Sequence, residues 1–101
     1  MIEPALAIVD CPDLSRYEAL LGNTLAGFME YRLAGARRIL VHTEVLPAYE
    51  GQGIGVALVR HVLDEARASG IRVTPKCPFI LAFLARHPEY GDVVSQARPA
   101  R

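Results

Sequence analysis

Three glycines at alternate positions, Gly51, Gly53 and Gly55 in "PAYEGQGIGVALV", divide this chain between two kinds of hydrophobic pattern. Glycine at that density weakens any regular element it occupies. The segment is therefore a sharp turn, or a place where backbone comes too close to something for a Cβ to fit. Before it, apolar residues alternate as in strands. After it, Ile54, Leu58, Val59, Val62, Leu63 and Ala66 recur at helical spacing, with Arg60, His61, Asp64, Glu65 and Arg67 on the opposite face. The chain has to pass from sheet to helix across bare backbone.

The strands are short and closely connected. "ALAIVD" predicts the first, closed by "CPD", and "RYEALL" from Arg16 the second, closed by Gly22-Asn23. Leu25 to Leu33 is the third, and "AGA" returns it into a fourth, Arg37 to Leu46. Such brief connections make the four strands antiparallel. Gly70 ends the first helix as a C′ residue. "IRVTPK" then predicts a strand lying parallel to the fourth. "CPFILAFLARH" is a last helix, with Pro78 in its first turn and Pro88 as its stop. The order β-β-β-β-α-β-α predicts an α/β (α+β layered) fold on a mixed, mostly antiparallel sheet. Residues 1–94 are expected to form one domain, and 95–101 a frayed tail.

In the fourth strand, strict alternation puts Ile39, Val41, Thr43 and Val45 on a core face. Leu40, His42, Glu44 and Leu46 fall on the other. With Leu33 opposite Arg37, that second face also collects Phe28, Glu30 and Arg32, as the wall of a cleft would.

Composition narrows the function classes. A chain of 101 residues holds one core, and a net charge of zero argues against nucleic acid as partner. The longest apolar run, Phe79 to Ala85, is too short to span a bilayer. The N-terminus "MIEPALAIVD" lacks the basic region of a signal peptide. Cys11 and Cys77 have no metal-type spacing and make a thin disulfide framework. A reducing cytoplasm is the expected setting, with no metal.

The first helix also begins without Ser, Thr, Asp or Asn at its N-cap, so its first amides need an acceptor from outside the chain. Amides bared by glycine, at the positive end of a helix, suit an anion. The P-loop ending Gly-Lys-Ser/Thr is absent. So is G-x-G-x-x-G, because its third position holds Val56 or Leu58. The remaining x-x-G-x-G between meander and helix resembles motif A of the GNAT superfamily, the acetyl-CoA-dependent N-acetyltransferases. From His42 to Tyr90 the series "HTEV…GQGIG…CPF…HPEY" is similar to the small YjdJ-like branch of that superfamily. The resemblance implies a minimal GNAT fold without the usual two N-terminal helices, since only "CPDLS" separates Asp10 from Arg16. It implies acetyl-CoA as cofactor, its pyrophosphate cradled at Val45, Leu46, Gly51, Gln52, Gly53, Ile54, Gly55 and Val56. Gln52 to Gly55 would supply the backbone donors. Where the superfamily often has Arg or Gln, this chain has Glu50, which disfavours a pyrophosphate unless it points to water or pairs with a base.

Acetyl transfer to an amine needs a base, donors that polarise the thioester, and a proton for the leaving thiolate. The resemblance points to Glu44 as base, a role that partial desolvation would favour. The competing reading is an exposed glutamate paired with Arg32 or Arg38. His42, on the same face, would shuttle the proton or simply hydrogen-bond in the sheet. Cys77 falls at a helix N-cap beside Lys76, and both neighbours lower a thiol pKa. It would accept acetyl, protonate the leaving thiol, or pack as an inert thiol. At the positions of the superfamily's acid tyrosine stand Phe83 and Leu84, with Tyr90 beyond Pro88 a poor substitute. Phe79, Leu81, Phe83 and Leu84 are expected in the core. Arg86 and His87 end the helix either solvated or within reach of a phosphate. The expected function is transfer of acetyl from acetyl-CoA to an amine; the alternative is a non-catalytic acyl-CoA-binding module. With no N-terminal helices, the face bearing Phe28, His42 and Glu44 is uncovered. A protein or other macromolecule is the expected acceptor.

Overall fold

The computed structural model describes residues 5–94. Four strands, β1 (Leu6–Cys11), β2 (Arg16–Leu21), β3 (Thr24–Ala34) and β4 (Arg37–Val45), form an antiparallel meander. Helix α1 (Ile54–Ser69) crosses to β5 (Arg72–Pro75), which pairs parallel with β4, and α2 (Pro78–Arg86) follows. The sheet order is β1-β2-β3-β4-β5. Between β1 and β2 stands only a single 3-10 turn, Pro12–Leu14, so no helix covers the sheet from there. Val73 of β5 is bridged on its far side by Val94, and its N–H donates to the Val93 carbonyl at 3.0 Å.

The predicted apolar stripe of α1 is buried in full: Ile54, Leu58, Val59, Val62, Leu63 and Ala66. It packs on Tyr17, Ala19, Met29, Tyr31, Leu40 and Val73 of the inner sheet face. Gly27 fixes how closely. A Cβ there would lie 2.8 Å from the Glu44 carbonyl oxygen and 3.2 Å from Ile54 Cγ2. Its absence lets the start of α1 settle directly on β3 and β4.

Two expectations about β4 need correction. Ala34, not Leu33, stands opposite Arg37, because the turn is the two-residue Gly35-Ala36, with Gly35 at φ +63°. Moreover, Tyr31 pairs with Leu40 while the next residue back, Glu30, pairs with His42. Val41 is therefore an extra residue, a β-bulge, and it reverses the alternation. Leu40 is buried inside, and Ile39 pairs with Arg32 on the outer face. Past the bulge, Thr43 and Val45 point inward as predicted. The shorter turn and the bulge together still bring Phe28 opposite Glu44 and Glu30 opposite His42.

Arg38, on the inner face, organises the polar rim of the core. Its guanidinium donates to the Tyr17 hydroxyl and lies 3.7 Å from both Asp10 and Glu65. Tyr17 in turn donates to Glu65 and Tyr31 to Asp10, each at 2.6 Å. Burial, and then the bond to Asp10, push the Tyr31 phenol well above its ordinary pKa. Arg38→Ala leaves two carboxylates facing each other without their shared cation. It should cost about 1–2 kcal/mol, read as a lower midpoint in urea unfolding, whereas an unchanged midpoint would show the cluster to be decorative.

Candidate active site

A 3-10 turn, Pro47–Tyr49, leads from β4 into the glycine segment. Gly51 (φ +84°) and Gly53 (φ +79°) are left-handed, and Gly53 is the N-cap of α1 with no side-chain cap. A Cβ at either would meet nothing within 4 Å. Dihedral angle and open space, not crowding, select glycine here. The space is a cleft of about 220 Å³ lined by Val45, Gly51, Gly53, Ile54, Gly55 and Val56, together with Glu50 and Phe79. Leu46 and Gln52 do not line it. The Leu46 N–H instead donates to the Ala26 carbonyl at 2.8 Å.

Beside this cleft the sheet opens. The last β4–β5 pair is Leu40 with Pro75, and the Lys76 N–H donates to the Leu40 carbonyl at 2.9 Å. The chain then turns away into α2. Because Leu46 bonds toward β3, alternation directs the backbone groups of Thr43 and Val45 toward the gap. The buried thiol of Cys77, N-cap of α2, stands at its inner wall, with Sγ donating to Thr43 Oγ1 at 3.8 Å. Burial pushes this thiol up, but hydrogen bonds from the backbone of Ile80, Thr43 and Phe79 and from the Thr43 hydroxyl outweigh it, so its pKa is lowered. The helix N-terminus thus acts as expected, while Lys76 is exposed and is not among the main causes. Cys11 moves the other way, pushed up by burial and by Glu18. A lowered pKa means the thiolate appears at lower pH. The iodoacetamide rate at Cys77 should therefore reach its midpoint at lower pH than that at Cys11, as resolved by peptide mass spectrometry; the reverse order would contradict the hydrogen bonding described.

On the outer face, His42 Nε2 and Glu44 Oε1 are 3.1 Å apart, and both side chains are 49% exposed. Glu44 is paired with His42 rather than with Arg32 or Arg38, and it is not sunk in a desolvated cleft. Phe28 lies opposite Glu44, its ring 6.2 Å from that of His42, with Arg16 stacked 4.6 Å above it. An open cavity of about 480 Å³, bounded by Leu14, Glu30, Arg32 and Val41 among others, extends this face. The structure therefore brings His42 and Glu44 together but sets Cys77 on the opposite face of β4.

Two residues expected in the core are not there. Phe79 is 43% and Leu81 48% exposed. Helix α2 buries Ile80 and Phe83, which rotates Phe79 toward the first turn of α1. There its ring occupies the space a Cβ on Gly55 would need, Cζ lying 2.9 Å away. The helical period counted from Pro78 is the signal that separates Phe79 from the buried stripe. Tyr90 is buried and donates to Asp64 at 3.0 Å, so its hydroxyl is already engaged.

A glycine loop capping a helix, beside a sheet whose pairing ends between β4 and β5, leaves a cleft suited to an anion. A family model described as GCN5-related N-acetyl-transferase matches residues 16–93, and the chain belongs to that family. Acyl transfer is the activity it supports, typically with acetyl-CoA as donor. The NMR structure of a GCN5-like protein from Staphylococcus aureus is similar, with a TM-score of 0.69 at 23% identity over 92% of this chain and 91% of that one. A ribosomal-protein-alanine N-acetyltransferase from Brucella melitensis biovar Abortus 2308 gives 0.54 at 17% identity over 85% and 64%. An aminoglycoside acetyltransferase from an uncultured soil metagenomic sample, in complex with sisomicin, gives 0.52 at 14% over 85% and 61%. At these identities the likeness is one of fold, and the chain spans less than two thirds of the latter two proteins. Among curated proteins none matches.

Proposed function

We propose that this chain, through a domain of residues 1–94, transfers acetyl from acetyl-CoA to an amine. One observation carries the reading: β4 runs past its last pair with β5 to Val45, which lines the glycine cleft, and along that stretch Thr43 bonds the ionisable thiol of Cys77. The residues present fit the donor. Bared amides at Gly53 to Gly55 suit its pyrophosphate, and the β4 edge at Val45, beyond the last pair with β5, suits an amide-bearing arm laid along it like a strand. The donor supplies an activated thioester.

Cys77 as thiolate attacks that carbonyl carbon. A C–S bond forms at Cys77, the donor's C–S bond breaks, and the departing thiolate takes a proton from solvent. The amine then attacks the acetyl on Cys77 from the outer face. The C–N bond forms, the Cys77 thiolate is regenerated, and the amine proton passes to Glu44 directly or through His42. Both cysteines are free thiols, which suits a reducing cytosol. The uncovered outer face favours a bulky acceptor such as a protein lysine over a small metabolite.

A binding-only module is favoured by Glu50, an acidic residue among those that line the cleft where phosphates would sit. Incubation with acetyl-CoA alone should leave an acetyl group on the Cys77 peptide, and added amine should discharge it with release of coenzyme A. Binding without adduct or release across an amine panel would decide for the module.

A further inference from the structure

We propose that β1 pairs with the β1 of a second copy of this chain, the two strands running antiparallel about a two-fold axis and joining two five-stranded sheets into one. The sheet has two edges, β1 and β5, and the chain treats them differently. At β5 the Val73 N–H donates to the Val93 carbonyl and Val94 bridges the strand, so the chain's own backbone closes that side. Among the described residues nothing pairs with the far side of β1. Antiparallel pairing with β2 uses the backbone groups of alternate residues, and those of the residues between point away from the sheet.

An open strand recruits another unless its sequence prevents it, and the usual preventions are missing from Leu6–Cys11. The strand has no lysine and no proline. Its register with β2 runs unbroken from Leu6 opposite Leu21 to Cys11 opposite Arg16, so no bulge twists the edge away. Apolar side chains are left uncovered on both faces: Leu6, on the α1 side, is 38% exposed, and Val9, on the other, 40%. The single charge, Asp10, is turned to its own core, where it accepts from Tyr31 and lies 3.7 Å from Arg38. Self-complementarity selects the occupant. A charged foreign strand finds no free ion partner on β1, whereas a second β1 sets apolar side chains against apolar ones. An axis through Ile8 places Ile8 against Ile8 and Ala7 against Val9; one through Val9 places Val9 against Val9. Both keep the two Asp10 carboxylates apart. The net charge of zero also spares the copies a general repulsion. With the axis perpendicular to the sheet, both α1 helices fall on one side and both His42–Glu44 pairs on the other.

Sedimentation equilibrium tests this. One short strand makes a small interface, so the wild type should pass from monomer to dimer between about 10 μM and about 1 mM. Val9→Lys puts a charge on the edge and should raise the dissociation constant about a hundredfold or more. Ala7→Lys, at a second exposed position of β1, should act in the same direction. Leu33→Lys, at an exposed leucine near the β3–β4 turn, should leave the dimer unchanged. Amide hydrogen exchange in the wild type decides independently of any variant: on raising the concentration through the transition, alternate amides of β1 should slow. A chain monomeric throughout, a dimer whose β1 amides exchange as fast as the monomer's, or a dimer that survives both β1 lysines or is dissolved by Leu33→Lys would each overturn the proposal.

Discussion

Cys77→Ala should lower turnover by about a hundredfold or more, the range seen when a group that carries bond-making is removed, while coenzyme A affinity stays nearly constant. The reason lies in where the sulfur sits. It lines the wall of the gap and not the phosphate cradle, so binding does not depend on it. It is buried and small, and its sulfur is held by the Thr43 hydroxyl and by backbone groups of Ile80, Thr43 and Phe79. Alanine should therefore cost stability only modestly, about 1 kcal/mol. Cys77→Ser keeps a donor toward Thr43 but replaces an ionisable thiol by a hydroxyl, and should be nearly as slow. Wild-type rates in the alanine variant, with a native circular dichroism spectrum, would assign Cys77 to packing.

Gly53→Glu should weaken coenzyme A binding at least tenfold, or about 1.4 kcal/mol, by two separate routes. The new side chain projects into the open cleft and brings a carboxylate to the site of the pyrophosphate. The residue must also hold φ +79°, which costs an L-amino acid about 1–2 kcal/mol. Gly53→Ala separates the routes, because it carries the backbone strain without the charge. If glutamate and alanine variants bind coenzyme A as tightly as the wild type while both remain folded, the cradle lies elsewhere.

The parts of this molecule governed by local periodicity were legible in its sequence. The α1 stripe, the Gly70 stop, the Pro78 start and the uncapped entry to α1 each follow from residues within a turn or two of one another. The errors arose where neighbours in space decide. Ile39, Leu40 and Val41 are all apolar, so nothing in their order says which one is the bulge. The choice is made by Tyr31 and by the helix above Leu40. Phe79 and Leu81 sit in the longest apolar run of the chain, and hydropathy cannot tell that α2 buries Ile80 and Phe83 rather than these two. His42 and Glu44 share one face, as their spacing predicts. That Cys77 lies across the sheet from them depends on where β5 ends, which no short motif records.

The extra residue at Val41 divides β4 into two lengths whose side chains are out of phase. One length, Arg38 with Leu40, answers to the core; the other, Thr43 with His42 and Glu44, answers to the site. Repacking beneath α1 can therefore proceed without turning the chemistry-bearing side chains over. Loss of a single residue at this joint would do the opposite, carrying His42 and Glu44 inward and Thr43 away from Cys77. The position tolerates many identities but not removal, so its contribution is to the count of residues rather than to any contact that Val41 makes.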